Sequence, residues 1–142
     1  MASTSTWLHF RGNAEEAFNF YKSVFGGDFV NGITRYSSLT PEKGYPPIAE
    51  ADKNLVIQVA LPILGGHIIK GNDAPEFLGE LIKGNNMDIN LQPDTRKETE
   101  RLFKALSAGG KVEMELHEMG DYFGACVDKF GVQWMLQCTA KE

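Results

Sequence analysis

His9, His67 and Asp88 are the side chains in this sequence whose types best suit chemistry near neutral pH. An imidazole changes charge close to pH 7, so His9 offers a metal ligand, a general base, or a polar contact for a bound molecule. The plain structural alternative is a hydrogen-bonded wall residue. His67 follows Gly65-Gly66. It either points into a cavity or sits in water beside the turn. Asp88 could orient a histidine or bind a cation, or it could lie at the surface near a strand end. The three together would be acceptable ligand types for one divalent metal ion. His117 alternates with Glu113 and Glu115 and reads as part of a solvated face. No Ser-His-Asp, Cys-His, P-loop or dinucleotide fingerprint is present. Neither Cys126 nor Cys138 is flanked by basic residues, so neither is marked as a nucleophile.

The elements that must position these groups are clearest at the C-terminal end. Residues 121 to 138 read as two apolar runs, Tyr122 to Val127 and Val132 to Cys138, joined by Asp128-Lys129-Phe130-Gly131. A short glycine-containing loop between such runs signals a β-hairpin. In the second run Trp134, Leu136 and Cys138 share one side, which reads as core. Gln133, Met135 and Gln137 share the other. A polar face that still carries a methionine suits a cavity wall, and Met adapts to irregular apolar ligands. Tyr36 and Tyr122 are placed at the rim of that cavity, where a hydroxyl fixes orientation. Counting back from the turn sets Cys126 opposite Gln133 and Cys138 opposite Asp121. The two thiols then do not face each other and no disulfide is expected.

The rest of the chain repeats one pattern. Thr4 to Phe10 reads as a strand. Asn13 is a good N-cap, with Glu16 completing a capping box. Ala14, Ala17, Phe18, Tyr21, Val24 and Phe25 form the buried stripe of a helix. Strands are expected at Phe29 to Ser38, Leu55 to Ile63 and His67 to Gly71. Residues 39 to 53 hold three prolines and no periodicity, the composition of a binding loop or lid. Residues 72 to 84 read as a connector with one helical turn. A second strand begins at Met87, a helix is capped by Asp94 or Thr95, and a strand covers Lys111 to Met119. Gly109-Gly110 follows Gly26-Gly27 by 83 residues. This internal repeat gives an α+β fold of two βαβββ modules, with helices on the outer face of a cupped mixed sheet. A single domain is expected, with module one at about 1–73 and module two at about 85–142. The repeat aligns Leu8 and Phe10 with Ile89 and Leu91 as helix-facing pairs. Trp7 and His9 then share the concave side with Asp88, Asn90 and Gln92.

The 142 residues carry a net charge of −5 and no basic stripe, which argues against nucleic acid and anionic membrane as partners. No apolar run approaches the roughly 20 residues of a membrane span. The N-terminal residues lack the regions of a signal peptide, so a cytoplasmic location is expected.

The strings GNAEEAFNFYKSVFGG and DYFGACVDKFGVQWML, on two βαβββ copies, resemble the vicinal oxygen chelate superfamily (glyoxalase, bleomycin resistance and dioxygenase proteins), and within it the PhnB-like branch. The resemblance covers nearly the whole chain and specifies largely the fold, which hosts several chemistries. It implies metal ligands on the first and last strands of each half. On the last strand that position falls on Met135, a poor ligand for hard or borderline cations. On the strand opening the second half it falls on Asn86 or Asp88. On the first strand it falls near Ser5 or Trp7, with His9 two residues on, and on the fourth on His67 or Ile69. The expectation is therefore a small-molecule binding protein without a cofactor. Its wall would comprise Trp7, His9, Tyr36, His67, Asp88, Asn90, Tyr122, Gln133, Met135 and Gln137. A homodimer is expected by analogy. The competing expectation is a lyase, isomerase or transferase holding one divalent metal ion through His9, His67 and Asp88. A third is a non-catalytic module whose cavity is filled by Trp7, Met135 and the 39–53 loop. Methyltransferase names sometimes attach to such sequences, but no Gly-rich cofactor loop follows a strand here.

Overall fold

A computed structural model describes residues 1–39 and 47–141. The chain divides into two compact units, Met1–Leu81 and Ile82–Glu142, each one copy of the repeat. The first contains β1 (Thr6–Phe10), α1 (Ala14–Phe25), β2 (Thr34–Arg35), β3 (Val56–Pro62) and β4 (Ile68–Asp73). The second contains β5 (Ile89–Leu91), α2 (Arg96–Ser107), β6 (Lys111–Met119), β7 (Asp121–Val127) and β8 (Gln133–Cys138). Strand order is β1-β4-β3-β2 in one four-stranded sheet and β5-β8-β7-β6 in the other. The first and last strands of each unit run parallel; the other pairs are antiparallel.

In the first unit α1 buries Ala14, Ala17, Phe18, Tyr21 and Val24, the stripe its spacing demands. Phe18 stands edge-on to both Phe10 and Tyr21, at centroid separations of 6.1 and 5.6 Å, a favourable aromatic geometry. Gly71 lets the helix come this close. A Cβ there would lie 2.5 Å from Phe18 Cε1 and 3.0 Å from the Leu8 carbonyl oxygen. Register then assigns the faces. Leu8 pairs with Gly71 and Phe10 with Asp73 on the helix side, leaving Trp7, His9, Lys70 and Asn72 on the open side.

The start of α1 is closed from a distance. Asn13 is the N-cap residue but its side chain makes no capping bond. The buried Asp73 carboxylate takes that role, accepting from Gly12 N (2.8 Å) and Ala14 N (3.0 Å) through Oδ1 and from Val56 N (2.9 Å) through Oδ2. A negative charge at a helix N-terminus also faces the positive end of its dipole. In α2 the cap is local, Thr95 Oγ1 accepting from Glu98 N. The second unit has its own buried carboxylate. Asp128 accepts from Phe130 N and Val132 N, and from Trp134 Nε1 at 2.8 Å. Trp134 is fully buried, as its alternation requires.

Three expectations change. The Phe29–Ser38 strand shrinks to two residues because Asn31 and Gly32 adopt positive φ, 59° and 70°, and Tyr36–Ser38 forms a 3-10 turn. The fourth strand runs on through Asn72 and Asp73. In the final hairpin Cys126 pairs with Trp134 and Cys138 with Tyr122, one residue from the expected register. Both thiols are buried and free. Of the proline-rich 39–53 loop, residues 40–46 lie outside the described residues.

Asp73→Ala would leave the buried N–H groups of Ala14 and Val56, and the part-buried one of Gly12, without an acceptor. We expect urea unfolding to show a loss on the order of 3 kcal/mol, against about 0.5 or less for the exposed Asp94→Ala. Equal stability of the two variants would contradict the capping role.

Candidate functional site

On the open face of the first unit, Asn72 is the centre. Its Oδ1 lies 3.0 Å from Trp7 Nε1 and 2.8 Å from His9 Nδ1. Tyr36 joins from the other side, its hydroxyl donating to the Asp73 carbonyl oxygen at 2.9 Å. Burial pushes the Tyr36 phenol above its ordinary pKa, opposed by the neighbouring Asn72 amide and reinforced by the charges of Asp73 and Asp52. Tyr36 also lines a cavity of about 420 Å³ with Arg11, Ile48, Leu55, Asp73 and Phe77 among its walls. Arg11 is held across its mouth by a 2.6 Å bond to the Gly79 carbonyl oxygen. Such a volume, mostly apolar with a few polar groups, suits a small organic molecule.

Trp7 and His9 are thus brought together on Asn72, and Tyr36 is held by the next residue, Asp73. His67 is not with them. Its Nε2 lies 2.9 Å from Thr6 Oγ1, and Thr6 pairs with the buried Ile69, on the side opposite Trp7 and His9.

In the second unit the open face of β8 carries Gln133, Met135 and Gln137, each half-buried. Gln137 accepts from Asn90 Nδ2 and Gln92 Nε2, both at 3.3 Å, and donates to Asp121 Oδ2 at 2.6 Å. Gln133 donates to the Met87 carbonyl oxygen at 2.7 Å. Met135 pairs with Asn90 and Ala125. Asp88 is exposed and precedes β5. Tyr122 is a correction. The one-residue register change puts it on the α2 side, where its hydroxyl donates to Glu100 Oε1 at 3.2 Å and Arg96 lies over its ring. His117 also departs from expectation. Register shifts in β6 bring it beside Phe123, with ring centroids 4.6 Å apart.

His67 is tied to Thr6, and among the described residues no three His, Cys, Asp or Glu side chains are grouped to hold an ion. Asn72 and Asp73 were missed by sequence reasoning. Their only signal is the polar end they give to the Ile68–Asp73 strand.

Comparison with known proteins fits this architecture. The family profile described as 3-demethylubiquinone-9 3-methyltransferase matches residues 2–137. The chain belongs to that family. Protein YjdN of Escherichia coli K12 is 24% identical, covering 97% of this chain and 96% of its own. Among solved structures, protein PA1353 from Pseudomonas aeruginosa superposes with a TM-score of 0.81 at 28% identity, over 97% and 98% of the two chains. A PhnB protein from Bacillus cereus, described as a 3-demethylubiquinone-9 3-methyltransferase, gives 0.74 at 28%, over 96% and 99%. A glyoxalase/bleomycin resistance protein/dioxygenase family enzyme from Burkholderia phytofirmans shares the fold, with 0.62 at 18%, over 95% and 98%. Among the described residues no helix is long and apolar enough to cross a membrane.

Burial, with Asp128 and Asp88 adding to it, pushes the Cys126 thiol up to about 12. The thiolate is the reactive form. Ellman's reagent at pH 8 should therefore leave Cys126 unmodified in the folded protein and modify it in urea. Rapid labelling of folded protein at Cys126 would contradict this environment.

Proposed function

We propose that the protein binds a small organic molecule without a metal ion, on the open face of its first unit. The observation that carries this reading is the meeting of Trp7 and His9 on Asn72, next in the strand to Asp73, whose carbonyl oxygen holds the cavity-lining Tyr36. A pre-set polar cluster beside an apolar cavity holds a ligand at low entropic cost. The second unit's face supports a lesser role, because its Gln133 and Gln137 amides already bond within that unit. Metal independence draws on Met135 at the position that a metal ligand fills in the superfamily's enzymes.

The family's printed description and that of the Bacillus cereus relative name a methyltransferase. Binding is the reading that this chain's own residues favour. The turn between β1 and α1 has a single glycine, Gly12, and its N–H is engaged by Asp73 together with that of Ala14. A homodimer belongs to the same proposal. In the first unit the exposed apolar side chains Phe77 and Leu78 are ones that such an interface would cover.

A thermal-shift screen of small organic molecules in EDTA tests the reading. Hits should persist in EDTA and weaken about 2- to 10-fold in His9→Ala, the loss of one well-placed polar contact. Hits that appear only with added manganese, nickel or zinc would favour the metal-dependent enzyme instead.

A further inference from the structure

We propose that Asn72 is a positioning residue that holds His9 in a single tautomer, and that the wall so formed takes a flat organic anion carrying a hydroxyl group. The proposal rests on the small-molecule reading above and adds the class of ligand.

The tautomer follows from the donors and acceptors present. The Trp7 indole nitrogen bears a hydrogen and can only donate. The Asn72 atom it meets at 3.0 Å is therefore the carbonyl oxygen, which settles the amide orientation. His9 Nδ1 lies 2.8 Å from the same oxygen. An amide oxygen cannot donate, so Nδ1 carries the proton. A neutral imidazole has one N–H, and Nε2 is left with its lone pair. The Tyr36 hydroxyl proton is committed to the Asp73 carbonyl and does not compete.

His9 Nε2 has no hydrogen-bond partner among the described residues, and His9 is exposed on the open face. A fixed, open acceptor calls for an O–H donor on the ligand. Its neighbours narrow the class. The Trp7 ring is 41% exposed and its centroid is 6.3 Å from the imidazole, a flat apolar surface beside the acceptor. Lys70 pairs with Trp7 on the same face and makes no ion pair among the described residues. An acceptor, an aromatic plate and an uncompensated ammonium together suit a hydroxylated aromatic acid.

Two experiments read the two parts separately. Long-range nitrogen-15 correlation of the imidazoles at pH 8, on protein without ligand, should show His9 protonated at Nδ1. Asn72→Ala should move the proton toward Nε2, the form an unconstrained imidazole favours, while Asn72→Asp, which keeps an acceptor, should retain Nδ1–H. Protonation at Nε2 in the wild type, or no change in Asn72→Ala, would overturn the positioning role. The second experiment titrates 3-hydroxybenzoate and benzoate while following the His9 and Trp7 signals. The hydroxylated acid should bind about 2- to 10-fold more tightly, the worth of one hydrogen bond, and His9→Ala should erase the difference. Equal affinities would overturn the hydroxyl-donor assignment. No response of Trp7 or His9 to either acid would overturn the ligand class. The wider binding reading fails only if the thermal-shift screen in EDTA also yields no ligand.

Discussion

Two consecutive residues at the end of β4 hold both sides of the first unit. Successive side chains of a strand point to opposite faces. Asp73 points toward the helix and accepts three backbone N–H groups, from the turn before α1, from its first residue and from the start of β3. Asn72 points to the open face and gathers Trp7 and His9. The core side fixes where the strand ends, and the strand's end fixes where the amide stands. A buried carboxylate is costly unless each lone pair is satisfied. Here three backbone N–H groups from separate segments satisfy it, which ties those segments to one strand end. The polar cluster on the open face inherits that rigidity, and a rigid cluster is what selective binding requires.

The second unit applies the same device to a different end. Asp128 holds the turn between β7 and β8 and the indole of Trp134, so the hairpin is locked from inside. The consequence on its open face is also different. The amides of Gln133 and Gln137 bond to Met87, Asn90, Gln92 and Asp121. The two copies of one repeat have thus parted: one gathers an indole and an imidazole on an asparagine, the other links side-chain amides to one another. Family membership alone would not reveal this, since relatives on this fold carry several chemistries.

Where the determinants are local, the sequence was readable. The stripe of α1, the Thr95 cap and Trp134 as core all follow from spacing within one element. The repeat correctly turned Phe10 and Leu91 inward and left Trp7 and His9 outward. What could not be read depends on distant partners. Asn-Asp-Ala-Pro has the composition of a turn, and only the amides of Gly12, Ala14 and Val56 make Asp73 a strand residue. A one-residue difference in the hairpin register moved Tyr122 from the cavity rim to the α2 side, because each single step exchanges faces. In β6 the register shifts defeated a simple alternation and brought His117 against Phe123.

The most direct measurement of the central claim is metal content by plasma mass spectrometry, on protein purified without chelator or histidine tag. A wall built for hydrogen bonding around Asn72, with Met135 in place of a carboxylate, predicts no stoichiometric divalent metal, even after incubation with zinc, nickel or manganese. About one ion per chain, lost in His9→Ala or Asp88→Ala, would contradict the account. His9 Nε2 would then be serving as a metal ligand rather than as an acceptor for an organic molecule.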